Sequence, residues 1–169
     1  MTTKEYFLQT WLTEAKTTIN AFKALPTDKL DYRPHPKTRS AMEIVNHLAP
    51  HTNEILGVLE TGTLNYVTNA SFPTVEDAIN AFETANAKLE KAVNSVDEKT
   101  WDEKIVPMMI GENKVWECPM RDMCWSFLLD IIHHRGQLST YYRPMGTRNP
   151  SIYGPTAETM EEQMAAASN

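Results

Sequence analysis

Cysteine, basic charge and long apolar runs are what this sequence has least of, and each shortage excludes something. Its two cysteines, Cys118 and Cys124, stand six positions apart in no metal-type pair, so they are expected as buried or free thiols rather than a disulfide framework. No stretch reaches the ~20 apolar residues that a membrane span needs. Residues 1–25 interleave Lys4, Glu5, Glu14 and Lys16 with the apolar positions, so no secretory signal is expected and the cytoplasm is the expected location. Lys and Arg number 16 against 22 Asp and Glu, giving a net charge of -6 with no basic run longer than two. A chain of that balance lacks the electrostatic footprint on which nucleic-acid binding depends.

What remains is an ordinary globular composition, 41% hydrophobic and 22% charged over 169 residues. That length suits one domain, residues 1–169, able to bury a core without staples.

Helix periodicity dominates. Leu8, Trp11, Leu12, Ala15, Ile19 and Phe22 recur at three-and-four spacing, predicting a helix from Thr3 to Leu25 that Pro26 stops. Pro34 and Pro36 hold the next stretch extended. Ser40 with Glu43 three residues on forms a capping-box signature, so a second helix is predicted from about Ala41 to Glu60, closed by Gly62. TLNYVTNASF (63–72) reads as an exposed connector. Pro73–Thr74–Val75–Glu76 opens a third helix running to about Val96. Residues 97–118 read as an irregular crossover, with a hairpin of KIVPMMI and KVWEC around Gly111 as one alternative within it. Pro119 begins a fourth helix ending near Arg143–Pro144, and 156–167 reads as a short terminal helix, free to fray within 156–169. The expected fold is all-α: a four-helix bundle with a long crossover between helices 3 and 4.

Polar groups inside an apolar stripe are the informative exceptions. Asp130 and His134 lie one turn apart beside Phe127, Ile131 and Leu138, and His133 flanks them. His47 and His51 repeat the four-residue spacing on the second helix. Facing helices of a bundle commonly supply the ligands of one ion, so His47, Asp130 and His134 form a candidate set of two imidazoles and a carboxylate with open positions. A buried Asp–His pair with no ion is the competing reading. His51 is weighed as a rim residue against a fourth donor, and His35 as surface. Glu43 is read as a cap rather than a base, and Trp125, Tyr141 and Tyr142 as core or dimer packing. Arg135 and Gln137 are open between support of the site, an interface and a solvated face. Gly136 costs a helix about 1 kcal/mol relative to Ala, which suggests another backbone passing close.

Four segments carry a family resemblance. DIIHHRGQLSTYYRPMG (130–146) resembles the fourth-helix hallmark of the DinB/YfiT-like family, and NHLAPH (46–51) its second-helix histidine segment. KLDYRPHPKTRS (29–40) is similar to its first interhelical loop, and NPSIYGP (149–155) to the tail of one branch. The resemblance implies a four-helix bundle, generally a homodimer, with a divalent metal (Zn, Ni, Fe or Mn) held by three histidines. His47 and His134 match two of those ligands, whereas the middle one falls on Asp130. Direct ligation by Asp130 is the expectation adopted; His133 turning inward, or a polar pocket without metal, are the alternatives.

The resemblance further implies a metal-dependent enzyme of thiol S-transferase or hydrolase type, acting on a small molecule through a metal-activated low-molecular-weight thiol or water. A non-catalytic, stress-related dimer that binds metal or a small ligand is the alternative.

Overall fold

A computed structural model describes residues 1–167. Its elements in chain order are α1 (Thr3–Lys23), α2 (Ala41–Leu48), α3 (His51–Thr61), β1 (Leu64–Asn65), α4 (Val75–Ser95), α5 (Glu98–Glu103), β2 (Ile105–Ile110), β3 (Asn113–Pro119), α6 (Met120–Ser139) and α7 (Ala157–Ala167). The long helices begin where side-chain acceptors meet the first free N–H groups. Thr2 and Ser40 form capping boxes with Glu5 and Glu43, and Thr74 accepts from the backbone N–H of Asp77. Glu43 is thus the cap expected. Helices α1, α3, α4 and α6 pack on one another around Phe7, Trp11, Phe22, Ile44, Ile55, Phe82, Leu89 and Leu128, all but excluded from solvent.

The expectation of an all-α four-helix bundle is overturned. The chain is about 59% helical and carries a three-stranded mixed sheet. β2 and β3 form an antiparallel hairpin joined at Gly111, whose φ of +58° suits the first central position of a tight hairpin turn. The extra residue of a bulge is Val115 on β3, opposite the step from Met108 to Met109. β1 adds parallel to β2, Leu64 opposite Met108 and Asn65 opposite Met109. The connector over 63–72 is therefore partly built into the sheet, and Leu64 is fully buried. Two residues are too few to show the alternation that marks a strand.

The second helix is also not continuous. Pro50 has no N–H to offer the carbonyl of Asn46, and the helix breaks at Ala49–Pro50 before resuming at His51. Both residues keep right-handed helical angles, so the chain is interrupted without turning away. The fourth helix ends at Ser139, not near Arg143, and α7 buries none of its residues. Residues 168 and 169 of the expected terminal helix lie outside the described residues. Trp125 packs edge-on against Phe7, the Tyr141 hydroxyl donates to the Arg39 carbonyl, and that of Tyr142 donates to Ala21. These aromatics pack within the chain.

Candidate metal centre

α2, α3 and α6 bring four ionisable groups to one point. His47 Nε2 lies 2.9 Å from Asp130 Oδ2, His51 Nε2 lies 3.0 Å from the same oxygen, and His134 Nε2 lies 3.4 Å from Asp130 Oδ1. The rings of His47 and His134 stand perpendicular with centroids 4.5 Å apart. One donor atom each from His47, Asp130 and His134 falls within 4.8 Å of the others, so the group could hold a metal ion.

Hydrogen bonding fixes the state of His134. The Arg39 guanidinium, which can only donate, lies 3.3 Å from His134 Nε2, so that nitrogen must present its lone pair. Nδ1 therefore carries the proton and donates to Gln137 Oε1 at 2.8 Å. Gln137 in turn offers its amide to His133 Nε2 at 2.9 Å. Burial pushes the His134 pKa down, against the opposing pull of Gln137 and Asp130, and favours the same neutral ring. A bare nitrogen lone pair and a carboxylate oxygen thus face each other across 3.4 Å, two acceptors with no proton between them.

His51 plays a different part. It is buried, against the expectation of a rim position, because the chain resumes helix at this residue with its ring turned toward α6. Its two nitrogens face carboxylates: Nδ1 lies 2.6 Å from Glu54 Oε2, and Nε2 reaches Asp130. Burial alone would lower its pKa, but the bonds to Asp130 and Glu54 prevail and raise it. Glu54 is held by the backbone N–H of Val67 at 2.7 Å. Burial likewise works to raise the Asp130 carboxyl, yet hydrogen bonds from His47 and His51 hold it well below the usual carboxylate range.

The donors suit a divalent ion. A cation with bonds of about 2.1 Å and angles between 90° and 109° sets its donors about 3.0–3.4 Å apart. His47 Nε2 to Oδ2 at 2.9 Å and His134 Nε2 to Oδ1 at 3.4 Å lie close to that span, each on its own oxygen of the Asp130 carboxylate. The chain Glu54–His51–Asp130 carries one net negative charge when its imidazole is protonated, which also favours a cation.

His133 is exposed and points away, so it does not replace Asp130. His35 is at the surface as expected. Arg135, left open between three roles, is buried against α1 and bonded to Glu14 at 2.5 Å. Gly136 has nothing within 4 Å of where a Cβ would sit, so no close backbone explains it. Burial pushes the Cys118 thiol up to about 11, leaving a poor nucleophile, and both cysteines are free.

Several participants were not singled out in the sequence, Glu54 among them. Tyr66 sets its hydroxyl 3.3 Å from His47 Nδ1, and burial raises its pKa, so it stays a neutral hydrogen-bonding group. Arg39 comes from the proline-rich loop, whose path sequence does not specify. Trp116 on β3, with Met108 on β2, walls a cleft of about 250 Å³ that His47 and Asp130 also line. The hairpin was weighed, but nothing in its pattern placed it over the helices.

No helix among the described residues is long and apolar enough to cross a membrane. Among curated proteins, none matches the chain. Solved structures of DinB-like proteins share its fold. A DinB-like protein from Bacillus subtilis is 20% identical with a TM-score of 0.66, the match covering 88% of this chain and 96% of that one. A DinB-like protein from Bacillus cereus is 19% identical with a TM-score of 0.67, covering 88% and 97%. The DinB family model matches residues 1–165, from the first helix through nearly all of the last. With that match over almost its whole length, the chain belongs to the DinB family.

Proposed function

We propose that this protein is a metal-dependent enzyme whose divalent ion is held by His47, Asp130 and His134. The observation that carries the reading is the convergence of one donor atom each from His47, Asp130 and His134 within 4.8 Å of one another, with His134 Nε2 facing the carboxylate at 3.4 Å. Bound there, the ion would lower the pKa of a coordinated low-molecular-weight thiol or water and so supply a nucleophile at neutral pH.

The chain's own residues do the rest. His51 and Glu54 hold Asp130 ionised and in place from behind. Gln137 accepts a hydrogen bond from His134 Nδ1, and the Tyr66 hydroxyl stands where it would accept one from His47 Nδ1 once that ring ligates through Nε2. Tyr66, Met108, Trp116 and Phe127 line a wall that limits water near the nucleophile. Activity as a homodimer in the cytoplasm is part of the same reading.

A second reading has its own support: His47 Nε2 is within ordinary hydrogen-bond distance of Asp130, so the cluster is partly satisfied without an ion. That favours a non-catalytic module binding metal or a small ligand. Elemental analysis of untagged protein tests the site first. Stoichiometric metal that is lost in His134→Ala supports it, and no metal in either protein rejects it. Loaded protein is then assayed for consumption of glutathione, bacillithiol or mycothiol against electrophiles. Turnover supports the enzyme, whereas full occupancy without turnover favours the binding module.

A further inference from the structure

The surroundings of the metal centre are sharply two-sided. On the His134 side lies an open cleft of about 770 Å³ whose walls include Lys37, Arg39, His133 and Gln137 and, among the described residues, no acidic side chain. In a chain of net charge -6 that is an unusual stretch of surface. Neither Lys37 nor Arg39 has a carboxylate oxygen within 4 Å among the described residues; the nearby Glu43 is taken by Arg33 at 3.0 Å. Arg39 instead turns to a neutral nitrogen of a proposed metal ligand. A guanidinium there is a weakly satisfied cation at the lip of the site. It has four N–H groups to give and a fork shape that matches a carboxylate or phosphate.

On the His47 side the smaller cleft is apolar and aromatic. Met108 and Trp116 are cross-strand partners in the hairpin, and Trp116 is a large side chain left 43% exposed. Phe127 and Tyr66 close the back of this wall. A third cleft shares Arg39 with the first side and His47 and Tyr66 with the second, its remaining walls being Glu43, Asn46 and residues 67–71.

We propose that the substrate is a small amphiphilic anion, with its carboxylate or phosphate held by Arg39 and Lys37 and a flat apolar group laid on Trp116 and Met108. The inference rests on the metal reading and gives it a substrate class. The reactive bond of such a molecule would lie between its two anchors, next to the His47–Asp130–His134 group.

Calorimetric titration of protein with measured metal content tests this, using 1-naphthylacetate, 1-naphthyl phosphate, neutral 1-naphthylacetamide and acetate as probes. Either aromatic acid is expected to bind at least about tenfold more tightly than the amide or acetate, the tighter acid naming the head group. Arg39→Gln should weaken the aromatic acid about tenfold and leave the amide unchanged. Trp116→Ala should weaken both aromatic acid and amide, by about fivefold. Both residues are exposed, so the variants are expected to fold, and unchanged metal content verifies an intact centre. Metal-loaded protein that binds none of the probes, or that binds acid and amide alike, overturns this inference and leaves the metal reading standing. Protein that takes up no metal overturns the proposed function and this inference with it.

Discussion

His134 and Arg135 are neighbours on α6, yet they enter two polar clusters of opposite character. Arg135 faces α1, where its guanidinium donates to the Glu14 carboxylate at 2.5 Å, to the Glu14 carbonyl and Thr18 hydroxyl at 3.1 Å each, and to the Tyr153 hydroxyl. Its Nε alone is buried without a partner in that cluster. Almost every donor meets an acceptor. On the face of α6 turned to α2, His134 and Asp130 meet acceptor to acceptor. Both clusters hold charge inside a helical protein, and both would be flagged by a search for buried ionisable groups. The balance of donors and acceptors is what separates an internal strut from a place for a ligand.

The largest expected effect strikes the strut. Arg135→Ala leaves Glu14 buried without its cation, which should cost about 3–5 kcal/mol of stability in urea unfolding. Metal uptake per folded molecule should stay the same; if it falls as well, the two clusters are coupled and the contrast fails. On the other side, a divalent ion at a hundred times its dissociation constant should stabilise the wild type by about 2.7 kcal/mol. That gain should vanish in His134→Ala, as read by thermal unfolding with and without metal. An equal gain in both proteins would put the ion elsewhere.

A finer cut separates the ligand from its support. Gln137→Ala removes the acceptor that keeps the His134 proton on Nδ1, and should weaken metal about 10–100-fold in competition with a chelator. Stability without metal should change by less than about 0.5 kcal/mol, since Gln137 is exposed. The smallest effect belongs to the glycine between the clusters. Gly136→Ala places a methyl in open space and should gain about 1 kcal/mol from helix propensity. A loss there would reveal a contact that neither cluster accounts for.

The long helices were legible because twenty residues of apolar recurrence average out local exceptions, and the caps at Ser40 and Thr74 marked where they begin. Short elements offered no such average. α5 has six residues and β1 two, and both are held by what they pack against. The break in the second helix has a local signal, Pro50, but a strong apolar pattern continues on either side of it. The sheet was the main error of fold class, since a hairpin weighed as a detail of the crossover forms a wall of the site.

At the centre itself, His47, Asp130 and His134 were found from spacing, and the structure brings them together. Their supports were not found. His51 shows the same four-residue spacing from His47 whether it faces inward or outward, and the direction is set by how α3 resumes after the proline. Arg39 and Tyr66 reach the site from segments without periodicity, so only the path of the chain could place them.

The hydroxyl of Tyr153 has a consequence for how much of the chain's far end is dispensable. It donates to Glu14 at 2.8 Å and receives a bond from Arg135, so the segment past α6 is pinned to both α1 and α6. α7 beyond it buries nothing and is tied down by Arg143 and Arg148 to Glu158 and Glu162 at the surface. A protease that clips after residue 156 would therefore trim a decoration. One that clips before residue 150 would take the Tyr153 hydroxyl away from the Glu14–Arg135 pair that joins the first and last long helices.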